Sequence, residues 1–147
     1  MNFNLRPMAE TDLETTFQWR NDQAVLDNAM TPSPISYSEH EASFKYNNAL
    51  KLVFEVDNVP AGLVTMTRDP DRPVGEWSFH LGKEFRGKGL SLLMLRIAIY
   101  YLKHKEGYKG ITSIVLKHNK ISRNLHSKLN FVQTGMTDKY MEYDLGL

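Results

Sequence analysis

Residues 74–117 constrain the fold of this chain more than any other segment does. Residues 74–81, VGEWSFHL, predict a strand with one buried face, because polar and apolar side chains alternate from Glu76 to Leu81. Residues 90–104 are apolar nearly all round and predict a helix that is covered on more than one side. Residues 110–117 have an apolar centre and predict another strand. A strand, a helix and a strand in this order form a βαβ-like unit, which pairs its two strands in parallel.

Further helices and strands are predicted on both sides of this unit. The pattern predicts strands at residues 2–6, 52–56, 62–68, 131–135 and 139–145. It predicts helices at residues 9–22, 22–30, 36–47 and 120–130. This order of elements predicts an α/β (α+β) fold, in which one domain over residues 1–147 contains a mixed, mostly antiparallel sheet of about seven strands.

The composition excludes several classes of site. The chain has no cysteine, which excludes disulfides, thiolate zinc sites and a cysteine nucleophile, and its histidines lack the spacing of metal ligands. The net charge of +1 gives no general attraction for nucleic acids or anionic membranes, so any anion site has to be local. The start of the sequence does not resemble a signal peptide, and no apolar run is long enough to span a bilayer. We therefore expect a cytoplasmic protein, a monomer or a homodimer, without a metal, nucleic-acid or membrane partner.

A glycine-rich basic turn precedes the apolar helix. Residues 84–91, EFRGKGLS, place two glycines and two cations just before the expected first turn. The first N–H groups of a helix are unpaired and carry partial positive charge, and glycine lets a ligand approach the main chain closely. The pattern predicts a site for a phosphate or pyrophosphate, unless the segment is only an ordinary strand-to-helix turn. The spacings of the P-loop, the dinucleotide fingerprint and the hydrolase nucleophile elbow are all absent.

Two separate segments resemble the cofactor motifs of the GNAT acetyltransferase superfamily. The first resembles the R/Q-x-x-G-x-G/A loop, whose amides hold the pyrophosphate of acetyl-CoA in that family, and it consists of Arg86, Gly87, Lys88, Gly89, Leu90 and Ser91. Its last residue is a serine where the family has glycine or alanine. The second segment is similar to the family's later cofactor motif and matches it at Asn119, Ser122, Lys128, Phe131 and Gly135. In that segment His126 stands where tyrosine is usual, and Asn130 where glycine is usual.

The resemblance implies an acetyl-CoA-dependent N-acetyltransferase with a splayed pair of parallel strands and helices on both faces of the sheet. In the family the pantetheine arm lies between the splayed strands, which implies main-chain contacts from Phe79, His80 and Leu81. The amide of Leu81 would then be an oxyanion donor. The helix at residues 120–130 and its cap would add cofactor contacts from Asn119, Ser122 and Arg123.

Three side chains are candidates for proton transfer. Glu76 is the candidate general base, acting through water, because its strand face would be turned toward the acceptor. His80 shares that face and is an alternative base, since a free imidazole has a pKa of about 6.5. His126 occupies the place of the family's tyrosine and would donate a proton to the departing sulfur. The competing interpretations are an exposed strand glutamate for Glu76 and packed histidines for the other two.

The N-terminal part of the sequence indicates which amine would accept the acetyl group. A W-R-N triplet, a methionine about ten residues later and an I-S-x-x-x-H segment resemble the acetyltransferases of pseudaminic acid biosynthesis. Those enzymes acetylate the 4-amino group of a UDP-linked dideoxy amino sugar. The residues that carry this resemblance are Trp19, Arg20, Asn21, Met30, Tyr37 and His40. Arg68 is a further candidate for contact with a diphosphate, and the competing interpretation makes Trp19 a core residue and the arginines surface residues.

Two other functions are compatible with the sequence. The layout also resembles that of the RimJ/RimL-type enzymes, which acetylate protein N-termini and would need a groove for a peptide. A non-catalytic acyl-CoA-binding domain is the alternative from a different class, and it would bind the cofactor without acetylating any amine. The resemblance to the amino-sugar enzymes favours a small-molecule amine, and among these a nucleotide sugar, as the acceptor.

Overall fold

A mixed sheet of seven strands runs through the computed structural model, which describes residues 1–147. The strands are β1 (Phe3–Pro7), β2 (Leu50–Val56), β3 (Val59–Arg68), β4 (Val74–Leu81), β5 (Gly110–Leu116), β6 (Val132–Met136) and β7 (Tyr140–Gly146). Their order across the sheet is β1-β2-β3-β4-β5-β7-β6, and β4 and β5 are the parallel neighbours. The prediction of a mixed, mostly antiparallel sheet of about seven strands is confirmed.

Five helices cover the two faces of the sheet: α1 (Leu13–Arg20), α2 (Gln23–Asp27), α3 (Tyr37–Tyr46), α4 (Leu90–His104) and α5 (Lys120–Lys128). The buried side chains of α4 pack into the larger core on one face. On the opposite face Trp19 of α1 joins Val53 and Leu63 in a separate cluster. Ser36 caps α3 and forms a reciprocal capping box with Glu39. None of the helices combines the length and the apolar character that crossing a lipid bilayer requires.

The hairpin of β2 and β3 is tighter than the sequence pattern predicts. Asp57 and Asn58 form its turn with φ angles of 50° and 68°, the left-handed conformation that favours these residue types in a two-residue turn. β3 therefore begins at Val59 and not at residue 62. The ladder tolerates Pro60 because the register shifts beside it.

The parallel pair β4 and β5 is joined over only three positions. These are Val74–Gly110, Gly75–Ile111 and Glu76–Thr112. Beyond Glu76 the strands continue to Leu81 and Leu116 without pairing to each other. They diverge, as the family resemblance implies, and we call the gap between residues 77–81 and residues 113–116 the strand split.

Candidate functional site

The strand split opens into a cavity of about 960 Å³. Its walls include both diverging strands, the start of α4 and one side of α5. Residues of α1 to α3, and of the segment after α2, close the opposite side. The volume lies at the upper end of the range for small-molecule and cofactor pockets.

Every second residue of β4 turns its main-chain N–H and carbonyl groups toward the strand split. The Gly82 N–H donates to the Ala61 carbonyl at the β3 side. Because main-chain polar groups alternate along a strand, every second residue back from Gly82 also faces β3, His80 included. Phe79 and Leu81 consequently face the strand split with their N–H and carbonyl groups. The expectation of a main-chain cofactor contact from His80 does not fit this register.

The glycine-rich turn needs glycine because of its backbone conformation. Gly87 and Gly89 have φ angles of 73° and 74°, and a Cβ atom at either position would meet no heavy atom within 4 Å. Gly89 is the N-cap of α4, and no side chain caps the helix there. Gly87, Gly89, Leu90 and Ser91 line the cavity, so the uncapped N–H groups of α4 lie at its edge. Lys88 is exposed and is not part of the wall.

Arg86 shapes this turn through its protein contacts. Its Nε and Nη2 atoms donate to the Leu81 carbonyl at 3.2 and 3.1 Å, and the guanidinium forms an ion pair with Asp22, the cap of α2, at 3.4 Å. At the other end of α2, His118 Nε2 lies 3.1 Å from the Asp27 carbonyl. These contacts fasten α2 on both sides of the cavity. The ion pair with Asp22 also neutralises the charge of Arg86, which the sequence analysis expected to contact a phosphate.

The start of α5 borders the cavity from the β5 side. Asn119 Oδ1 accepts from the Ser122 N–H at 3.1 Å, and both residues line the wall. Lys128 lines it too, one turn beyond Leu125, which is itself a wall residue one turn beyond Ser122. Arg123 points elsewhere, because its Nη1 donates to the Lys117 carbonyl at 3.1 Å and its side chain lines a separate groove of about 500 Å³. The expected phosphate contact of Arg123 does not fit this placement.

His126 lies outside the cavity wall. Its side chain is completely buried. Trp77 Nε1–H donates to His126 Nε2 at 3.1 Å, so the proton of the neutral ring is on Nδ1, which donates to the Ser122 carbonyl at 2.7 Å. Burial lowers the pKa of His126 and favours this neutral form. Because both ring nitrogens are engaged, the expectation that His126 protonates a departing sulfur does not fit its environment.

Glu76 and His80 share one face of β4 but differ in environment. Glu76 is exposed, lines the cavity and makes no hydrogen bond or ion pair with the protein. His80 also lines the cavity, but its Nε2 atom is buried without a hydrogen-bond partner, and its ring meets Trp19 edge-on at 6.0 Å. Burial, followed by the charges of Arg86 and Arg20, lowers the pKa of His80 to about 4. No group of three or more carboxylate and imidazole side chains is arranged to hold a metal ion.

The half-buried His80 side chain makes the stability of the fold depend on pH. Its pKa falls from about 6.5 in the unfolded chain to about 4 in the folded protein. The unfolded chain therefore takes up a proton first, so this stabilisation is fully present above pH 6.5 and is lost as the pH falls toward 4. Between pH 7 and pH 5 we expect the wild type to lose about 2 kcal/mol more unfolding free energy than His80→Asn, measured by urea unfolding. Equal losses in the two proteins would contradict the low pKa.

Three of the expected acceptor residues line the cavity: Arg20, Met30 and His40. Arg20 Nη2 donates to the Thr31 carbonyl at 3.4 Å, whereas Arg20 Nη1 is buried without a partner. His40 Nε2 lies 2.9 Å from Thr16 Oγ1, and burial lowers the pKa of His40. This side of the cavity thus combines one cation that lacks a carboxylate partner with a neutral imidazole.

Four other expected acceptor residues have contacts that hold the fold together, and none of them lines the cavity. Trp19 is 7% exposed and belongs to the smaller core, in agreement with the competing interpretation that it is a core residue. Asn21 makes two hydrogen bonds of 2.9 Å with the main chain of the loop after α2. Tyr37 meets an aromatic ring of α1 edge-on at 5.3 Å, and the Arg68 guanidinium lies 5.1 Å from the centre of the Tyr108 ring.

Sequence comparison decides the family. Residues 2–132 match the family described as "Acetyltransferase (GNAT) domain". The chain belongs to the GNAT acetyltransferase family. This GNAT acetyltransferase is an enzyme that uses acetyl-CoA to acetylate an amine, which confirms the expected enzyme class and cofactor. A comparison with curated proteins found no match.

Solved structures share the fold of this GNAT acetyltransferase. Spermidine N-acetyltransferase from Vibrio cholerae, in complex with CoA and spermine, aligns with a TM-score of 0.85 and 17% identity, over 98% of this chain and 95% of that chain. An N-acetyltransferase from Staphylococcus aureus Mu50 aligns with a TM-score of 0.80 and 24% identity, over 99% of both chains. The RimL ribosomal-protein alpha-N-acetyltransferase, in complex with coenzyme A, aligns with a TM-score of 0.85 and 14% identity, over 100% of this chain and 95% of that chain. Because these identities are low, the likeness concerns the fold alone.

Proposed function

We propose that this GNAT acetyltransferase acetylates a primary amine within the strand split, by direct attack in a ternary complex. The observation that carries the proposal is the end of β4–β5 pairing at Glu76, because it leaves the main chain of Phe79 and Leu81 facing a cavity. The uncapped start of α4 at Gly89 borders the same cavity. Main-chain donors suited to an acyl oxygen and to a diphosphate therefore surround one space.

The residues around the cavity fit the parts of acetyl-CoA, which supplies the thioester whose acetyl group passes to the amine. The open space beside Gly87 and Gly89 leaves the turn amides approachable by a pyrophosphate. The main chain of Phe79 would hydrogen-bond the pantetheine arm. Asn119 would face that arm from the α5 side, because its Oδ1 is used as a helix cap and its NH₂ group makes no hydrogen bond within the protein.

The Leu81 amide is our candidate for the oxyanion donor. Its N–H faces the strand split, and its carbonyl is fixed by two hydrogen bonds from Arg86. A main-chain donor that is held in place before the reaction stabilises developing negative charge without reorganising. The contacts of Arg86 would therefore serve catalysis indirectly, by fixing the end of β4.

Glu76 is the general base in this proposal and acts through a water molecule. An amine attacks only when it is neutral, and the carboxylate accepts the proton that the nitrogen gives up as its bond to the acetyl carbon forms. Support comes from the position of Glu76 at the start of the strand split and from its freedom from protein partners. His80 is less suited, because its low pKa makes it a weak base and its Nε2 atom is buried. Solvent would protonate the departing sulfur, since His126 has no free N–H.

For the acceptor, we propose a UDP-linked dideoxy amino sugar that is acetylated on its 4-amino group. Arg20, Met30 and His40, which carry part of the resemblance to the amino-sugar enzymes, line the cavity. Glu76 is the single carboxylate in the wall, whereas Arg20 and Lys128 contribute positive charge that no carboxylate pairs with. This balance suits an acceptor with a negatively charged diphosphate better than a polyamine, whose several cations would need several carboxylates.

An assay of thiol release from acetyl-CoA tests the acceptor. We expect kcat/KM for the UDP-linked amino sugar to exceed that for spermidine, and that for a peptide with a free N-terminus, by roughly 100-fold. Arg20→Gln should raise the KM for the sugar about tenfold, because it removes a cation from the wall. Arg68→Gln is the matched control, since that arginine covers Tyr108 and does not line the cavity.

The possible outcomes separate the competing functions. Preference for the peptide would support a protein N-terminal acetyltransferase and reject the amino-sugar proposal. Binding of coenzyme A without acetylation of any amine would support a non-catalytic acyl-CoA-binding domain. Equal effects of the two arginine substitutions would reject a role for Arg20 in the acceptor site.

A further inference from the structure

We propose that His126 is a positioning residue, which keeps β4 away from β5 at the strand split. This inference rests on the proposed use of the strand split as the acetyl-CoA site. His126 does not touch the reacting groups and acts through Trp77, the first residue of β4 beyond the last β4–β5 pair.

Aromatic rings from both sides of the strand split enclose His126. Trp77 and Phe79 of β4 have ring centroids 5.9 and 5.8 Å from the imidazole. Tyr143 of β7 stacks on it at 5.1 Å, and Phe131 meets it edge-on at 4.8 Å. Because β7 pairs with β5, the enclosed imidazole fills the space behind the diverging strands.

Two hydrogen bonds add a directional link to this packing. The His126 ring accepts from the Trp77 indole N–H and donates to the carbonyl of Ser122 in the first turn of α5. A neutral imidazole has one acceptor and one donor nitrogen, and here each has its own partner. One buried ring therefore joins β4 to α5, the helix that borders the cavity on the β5 side.

The link opposes closure of the strand split. The main chain of Trp77 faces β5, and pairing of Trp77 with Ser113 would extend the parallel ladder by one position. Such pairing would move β4 toward β5 and displace the main chain of Phe79 and Leu81. The indole N–H of Trp77 is held by His126 on the α5 side, which fixes the side chain and hence the course of β4 at this point.

Four variants test the inference by steady-state kinetics, at a temperature at which all of them are folded. Trp77→Phe and His126→Phe each remove the hydrogen bond and keep an aromatic ring. In each we expect the KM for acetyl-CoA to rise about fivefold with kcat changed less than about twofold, and no further rise in the double variant, because both substitutions remove the same bond. His126→Gln should restore the KM to within about twofold of the wild type, since its Oε1 is able to accept from Trp77.

Val56→Ala is the control for loss of stability, because Val56 is buried in β2 far from the strand split. It should leave the KM unchanged. A wild-type KM in His126→Phe, additive increases in the double variant, or an equal increase in Val56→Ala would overturn the inference. Calorimetric titration with coenzyme A separates this failure from failure of the proposed function. If the wild type binds no coenzyme A, the proposed function fails; if it binds and His126→Phe binds equally well, only the role of His126 fails.

Discussion

Glu76→Gln is expected to lower kcat by roughly 100-fold or more while leaving the Kd for coenzyme A within about twofold of the wild-type value. Glutamine keeps the size and polarity of the side chain but cannot accept a proton from the amine nitrogen. Glu76 makes no hydrogen bond or ion pair with the protein, so its replacement should not disturb the fold. Thiol release under saturating acetyl-CoA measures kcat, and calorimetry measures the affinity.

The rival base supplies the control for this prediction. His80→Asn removes the other titratable side chain on the same face of β4 and should reduce kcat far less than Glu76→Gln does. A larger loss in His80→Asn would transfer the role of base to the histidine.

Gly89→Ala is expected to weaken coenzyme A binding by roughly 30-fold. Alanine at a φ angle of 74° costs about 2 kcal/mol of backbone strain, which the turn relieves by moving away from this conformation. That movement displaces the first N–H groups of α4, on which the proposed pyrophosphate contact depends. Isothermal titration calorimetry with coenzyme A measures the change.

The chain contains a matched control for this strain. Gly107 has a φ angle of 70°, and a Cβ atom there would also meet no heavy atom within 4 Å, but Gly107 lies in the turn between α4 and β5. Gly107→Ala should lower the melting temperature about as much as Gly89→Ala while leaving coenzyme A affinity unchanged. If both variants lost affinity equally, the effect would reflect stability and not the turn amides.

Much of the fold could be predicted because its signals are local in sequence. The alternation in β4 and the apolar run of α4 gave bounds that agree with the structure, at residues 74–81 and 90–104. The start of β3 was wrong, because the turn formed by Asp57 and Asn58 depends on positive φ angles that a hydrophobic pattern does not reveal. The strand split itself was implied by family resemblance, since the pattern of apolar residues continues unbroken where the pairing ends.

The candidate site was less predictable because its side-chain partners are distant in sequence. Arg86 is tied to Asp22 across 64 residues, and His126 is tied to Trp77 across 49 residues. Neither contact can be predicted from the neighbouring residues in the sequence. The sequence analysis therefore assigned Arg86 to the pyrophosphate of acetyl-CoA and His126 to the departing sulfur. The main-chain contact expected of His80 disagrees with the observed register for a different reason. A motif indicates which segment borders a ligand, but only the register of β4 against β3 tells which residues turn their main chain toward it.

The ion pair between Asp22 and Arg86 has a consequence for how such an enzyme can diversify. It joins α2, on the proposed acceptor side, to the turn that is proposed to hold the pyrophosphate of acetyl-CoA, so Asp22 supports both parts of the proposed site. Substitutions elsewhere in the N-terminal helices can remodel the acceptor pocket while donor recognition stays intact. A substitution of Asp22 would alter the acceptor pocket and donor recognition together. A new acceptor preference is therefore more readily acquired by substituting the neighbours of Asp22 than by substituting Asp22 itself.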